Sequence, residues 1–260
     1  MSAVTTTRPS DVAPAPAPAH RPRLLRTAGL VALITLREIL RRRGALALAL
    51  LLPLTFYLAR IDVHWTALRL LSIGLGWAAA TLGLFTAVSS RPVDRRLAAS
   101  GAGPTALVAG RLVAILALGW TIAGLYAVLV QFTIGDKLIH PAAVAPMLLV
   151  TVAVAAPLGP VAAALVPRDL EGALLLLAVM AVQVLVDPDK SWTLALPLWS
   201  ARELASYILD TADAVGPLGP EAGDYLYHGL AHGTAYGLAL GTTSWLLGVL
   251  RLRTIRLPEP

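Results

Sequence analysis

Between Leu112 and Ile134 the chain runs for more than twenty residues without one charged side chain. No other feature restricts the fold so sharply. At about 1.5 Å of rise per residue, a helix of that length crosses a hydrocarbon layer of about 30 Å. Leu70–Ser90 is a second such run. Further apolar blocks occupy Gly44–Leu58, about Ala143–Val166, Leu170–Val186 and about Tyr225–Leu250. The chain is 57% hydrophobic and 14% charged, whereas charged residues approach about a quarter of a soluble domain. Strict alternation in short segments, the mark of a membrane β-barrel, is absent from the sequence. The pattern predicts an all-α membrane protein with six transmembrane helices.

Charge orients those helices. With both ends of the chain on one side, sixteen of the 21 Lys and Arg fall there and only Arg60, Arg69, Lys137, Lys190 and Arg202 fall opposite. The positive-inside bias therefore predicts cytoplasmic termini in a plasma-membrane protein. The same placement explains the net charge of +6 by headgroups and topology, and excludes nucleic acid as the expected partner. No cysteine occurs, which removes disulfides, thiolate metal sites and thiol catalysis.

In chain order, residues 1–22 read as a Pro/Ala-rich disordered tail, without the early apolar core of a cleaved secretory signal. Residues 23–256 form the membrane domain, and residues 257–260 a short C-terminal tail. Within Arg23–Arg43, Leu24, Leu25, Ala28, Val31, Ala32 and Ile39 recur at helical spacing. Arg26, Arg37 and Arg41 lie near an opposite stripe. This predicts an interfacial helix, or else an early, aborted part of a span. Pro53 falls inside the first span. Ile61–Arg69 is expected to be an outer turn before the second. In the fourth span, Pro157 and Pro160 are expected to bend or open the helix. Trp192–Leu209 reads as an interfacial or re-entrant outer element, with Ser200–Glu203 as a capping box. Gly216, Pro217, Gly219 and Pro220 then break the chain.

The apolar runs flank a basic island, Arg91–Arg111, in which Arg91, Arg95, Arg96 and Arg111 face one acid, Asp94. A basic loop can be no more than an orientation signal. Here, however, Pro92 stops one helix, Val93–Ser100 suits a short helix, Gly101–Gly103 interrupts it, and Pro104 relaunches the chain. A short rigid helix beside the membrane is a lever for a cytoplasmic partner.

Catalytic signatures are missing. There is no G-x-x-x-x-G-K-[ST], H-E-x-x-H or G-x-S-x-G, so the chain is expected to be a non-catalytic subunit without a cofactor or metal of its own. His228 and His232, four apart, could bind a cation or relay protons, or sit hydrated at an interface beside Tyr225, Tyr227 and Tyr236. Gln131 and Gln183 must pair with another helix or face a wet path. Glu171 suits a helix start. Asp187 and Asp189 mark an outer vestibule or are solvated loop acids.

The order of parts resembles the type-2 ATP-binding-cassette exporter permeases, with the daunorubicin-resistance-like exporters the nearest subgroup. The resemblance rests on L-R-E-I-L-R-R-R at Leu36–Arg43 and on D-R-R-L-A-A-S-G-A-G-P-T-A-L-V-A-G-R at Asp94–Arg111. Trp192–Leu209 is similar to the family's outer segment. Asp94 stands where a glutamate is usual, and Gly101–Gly103 makes the turn more flexible than usual. The resemblance implies a coupling helix, partnership with a second permease copy or homologue, and separate ATPase subunits that bind ATP and Mg. By the same resemblance, Arg91, Asp94, Arg95, Arg96 and Leu97 would touch the ATPase, with Glu38 and Arg42 adding a clamp, and a lipophilic cargo would leave the cell. A secondary carrier and a non-transport assembly or immunity protein remain alternative readings of the same hydropathy.

Overall fold

The computed structural model describes residues 20–166, 168–186, 191–209 and 222–253. Among these residues the chain is helical, with no strand. Helix α1 spans His20–Arg41, α2 Arg43–Leu58, α3 His64–Ser89, α4 Arg91–Ala99, α5 Pro104–Ile134 and α6 Val144–Leu165. Helix α7 spans Asp169–Leu185, α8 Trp199–Leu209 and α9 Ala222–Arg253. Most of the tail, Asp187, Asp189, the Gly-Pro pairs at 216–220 and the last seven residues lie outside the described residues.

Among the described residues, three helices, His64–Ser89, Pro104–Lys137 and Pro141–Leu165, are long and apolar enough to cross a membrane. The outward side of α5 carries Val113, Leu125, Val128 and Phe132, the last 87% exposed. An apolar surface of this kind is unfavourable in water and suits lipid. Helices α2 and α7, at 16 and 17 residues, reach only about 24–26 Å. Helix α9 is 32 residues long, but glycine, threonine and histidine dilute its apolar character.

Helix α3 lies at the centre and is buried on nearly every side from Leu71 to Leu84. It packs on α6 at backbone contact. A Cβ on Gly159 would stand 2.1 Å from the Ala80 carbonyl oxygen, and one on Gly83 would stand 2.6 Å from that of Ala156. Only glycine fits on either side. The two prolines do not open α6: Val144–Leu165 is one continuous α-helix with both inside it. Pro157 and Pro160 deprive the Ala153 and Ala156 carbonyls of a donor. Those oxygens lie at contacts with Gly237 of α9 and Gly83 of α3, so neighbouring helices shield them from lipid.

Helix α1 turns its small-residue side inward. Thr35 and Ile39 are buried, while Leu25, Leu30, Leu33 and Ile34 are exposed. It approaches α5 so closely that a Cβ on Gly110 would stand 2.5 Å from the Ala28 carbonyl oxygen. Helix α2 is tied to α5 by the Tyr57 hydroxyl against Thr133 and by the Tyr126 hydroxyl donating to the Leu50 carbonyl.

The outer turn expected at Ile61–Arg69 is shorter, because α3 already begins at His64. Arg69 fits inside the helix since its guanidinium donates to the Gln183 carbonyl at 2.7 Å and lies over the Trp65 ring at 5.2 Å. The capping box is not formed either. Helix α8 begins at Trp199, so Ser200 is already helical, and its buried hydroxyl finds no hydrogen-bond partner among the described residues. Glu203 is buried rather than reaching back to cap.

Candidate functional site

Helix α3 stops at Ser89 and α4 starts two residues later, with Ser90 as the shared pivot. The Ser90 N–H still donates to the Thr86 carbonyl at 3.1 Å, and the Ser90 carbonyl accepts from the Asp94 N–H at 2.9 Å. Pro92 does not terminate α3; it sits in the first turn of α4, where its missing N–H leaves no bond unmade. At the far end Gly101 takes a φ of +93°, a backbone state that other residues enter at a cost. The N–H of Ala102 then closes on the Leu97 carbonyl at 2.9 Å. Pro104 opens α5 eight residues before the apolar run that the sequence marks.

Asp94 points into the protein. Its carboxylate accepts the Arg111 Nε–H on both oxygens, at 3.1 and 3.0 Å, and also pairs with Arg111 Nη2. Arg111 Nη1 donates onward to the Thr35 hydroxyl at 3.4 Å. One guanidinium thus joins α1, α4 and α5. Arg91 adds a fourth partner, its Nη2 donating to the Ala163 carbonyl of α6. Burial, and then the neighbouring Arg251, hold the Arg91 guanidinium below the usual arginine range; Asp169 acts in the opposite direction and Arg95 in the same one.

This locking decides which residues face outward. Arg95, Arg96 and Leu97 are exposed, while Asp94 is buried. Of the residues expected to meet an ATPase, Arg95, Arg96 and Leu97 form an outer face, whereas Asp94 holds that face in place. Glu38 and Arg42 form an exposed i,i+4 ion pair on α1. They line a small cleft of about 60 Å³ with Phe85, Thr86 and Ser89 at the end of α3. All seven residues therefore lie at one end of the bundle. Arg111 and Thr35 are the partners that sequence reasoning missed. Arg111 reads as one more orienting charge, and nothing local says that Asp94, seventeen residues away, neutralises it.

At the opposite end, polar groups serve packing. Gln183 accepts the Leu198 N–H at 2.7 Å and donates to the Val179 carbonyl at 3.3 Å. Gln131 donates to the Pro141 carbonyl at 2.6 Å. His232 bonds the Leu194 carbonyl through Nε2 at 2.8 Å and stacks on Tyr236 at 4.8 Å. His228 is exposed and tilted against Tyr227. On the α4 side instead, where Asp169 acts on Arg91, Glu171 in the first turn of α7 faces Arg168 at 3.6 Å in an exposed pair. Among the described residues no group of three His, Asp or Glu is placed to hold a metal.

The chain matches no family model and no curated protein.

Proposed function

We propose that this chain is the transmembrane permease subunit of an ATP-driven exporter that moves a lipophilic or amphipathic small molecule out of the cytoplasm. Six spans, made by α2, α3, α5, α6, α7 and α9, cross the plasma membrane with both termini and α4 on the cytoplasmic side. ATP and Mg are handled by a separate ATP-binding-cassette subunit, and a second permease copy or homologue completes the pathway. The observation that carries this reading is the anchoring of α4. A nine-residue helix tied to α1, α5 and α6 by Arg111 and Arg91 cannot tilt alone, so a push on Arg95, Arg96 and Leu97 is passed to three other helices. An exposed basic and apolar face suits an acidic groove with an apolar floor.

The test is co-purification from native membranes. A P-loop ATPase should accompany the wild-type chain, and the double charge reversal Arg95→Glu/Arg96→Glu should release it while the permease stays inserted. Finding no P-loop ATPase with the wild-type chain would overturn the proposal.

A further inference from the structure

Beside α4, between α3, α5, α6 and α9, lies a cavity of about 100 Å³ whose charged wall is made by Arg91, Arg95, Arg111 and Arg251 against the single carboxylate of Asp94. Asp94 is already engaged by Arg111. Four guanidiniums line this half-enclosed space against one lining acid, and even with Asp169 acting on Arg91 from outside the lining the balance is positive. The deeper wall is apolar, with Ile115, Pro160 and Leu247.

A second feature continues from it. Leu112 also lines an apolar groove of about 730 Å³ between α5, α6 and α9, which extends along α9 from Gly233 to Trp245. Twelve residues of helix rise about 18 Å, close to the roughly 15 Å that one leaflet contributes to a 30 Å core. The basic cavity stands at the Trp245 end of the groove, nearest Arg251. Head-sized basic space and chain-length apolar space are thus joined in the order of a lipid molecule.

We infer that this composite site binds an anionic phospholipid of the inner leaflet, its phosphate among Arg91, Arg95 and Arg251 and one acyl chain along the α5–α6–α9 groove. Basic pockets between spans at the cytoplasmic side hold acidic headgroups in this way. The leaflet assignment rests on the topology proposed above; the binding itself does not. A bound lipid phosphate would relieve the mutual repulsion of Arg91 and Arg251 and stiffen the contact of α4 with α9.

The test uses the full chain, purified in detergent and exchanged with phosphatidylglycerol or phosphatidylcholine, with retained lipid counted by native mass spectrometry. Phosphatidylglycerol should be retained in clear preference. Arg251→Gln should weaken its retention by about five-fold, as expected for one arginine near a headgroup. Gly241→Trp, at a groove position with open space beside it, should weaken retention of both lipids. Equal retention of the two lipids, or a preference untouched by both variants, overturns the site. Displacement of the lipid by inorganic phosphate would reassign the basic cavity to a small anion and overturn it as well. So would spontaneous disulfide formation between two Gly241→Cys chains, which would make the groove a copy-to-copy contact. Labelling of an Arg253→Cys chain from outside intact cells would reject the topology while leaving the binding result standing.

Discussion

Asp94 and Arg111 are seventeen residues apart and meet as an ion pair whose side chains are only 11% and 14% exposed. The pair closes the turn between α4 and α5 and sets the outward face of α4. Removing one partner of a buried pair leaves the other charge stranded.

Asp94→Ala should therefore lower stability by about 3 kcal/mol, whereas Asp94→Ala combined with Arg111→Leu should recover a large part of that loss. Thermal unfolding of the purified chain in one detergent, run as a double-mutant cycle, measures the coupling. Additive effects would show that the pair contributes nothing as a pair.

At the α3–α6 contact, Gly159→Val places carbon where the Ala80 carbonyl oxygen already stands. Overpacking of this kind destabilises by about 1–3 kcal/mol or more. The same change at Gly124, which has open space around it, should be mild. Melting temperatures of the two variants compare the sites directly.

Gln183→Leu removes the acceptor of the buried Leu198 N–H. An orphaned buried donor costs about 1–3 kcal/mol. Hydrogen exchange at Leu198 should accelerate while that of the α3–α6 core stays slow. Unchanged protection at Leu198 would mean that another group holds its N–H.

Burial pushes the Glu203 carboxyl above its ordinary value of 4.5, an effect that Arg202 and then His228 oppose. The folded state then holds the proton more tightly than the unfolded one. Stability is greatest below about 4.5, falls as pH rises toward the raised folded value, and stays at the lower level above it. Glu203→Gln should flatten this slope and melt higher at pH 8. Melting curves between pH 4 and pH 8 decide it.

The chain has no cysteine, so single cysteines report sidedness cleanly. Lys137→Cys should react with an impermeant maleimide in intact cells, and Arg96→Cys only after permeabilisation. Labelling of both from the same side would contradict a crossing by the Pro104–Lys137 helix.

The helical character of Leu112–Ile134 and Leu70–Ser90 was legible because an unbroken apolar run tells of its surroundings residue by residue. The short helix α4 was legible for a similar reason, since proline and glycine act on the backbone next to them, although Pro92 opens that helix and does not stop the one before it. The fate of Arg69 was not, since an arginine reads as a helix end until a carbonyl such as that of Gln183 and a ring such as Trp65 are in reach. Ser200 and Glu203 matched a capping pattern, but α8 begins one residue earlier, at Trp199, so that Ser200 lies inside the helix against Gly229 and Gly233 of α9.

Local chemistry by itself determined where this chain turns apolar, where it carries its arginines, and where glycine and proline interrupt it. The direction in which Asp94 points, the bare carbonyls of α6 sheltered at glycine contacts, and the alignment of a basic cavity with an apolar groove were decided only by the tertiary structure. Each depends on atoms far apart in the chain, and their distances are set by how whole helices stack.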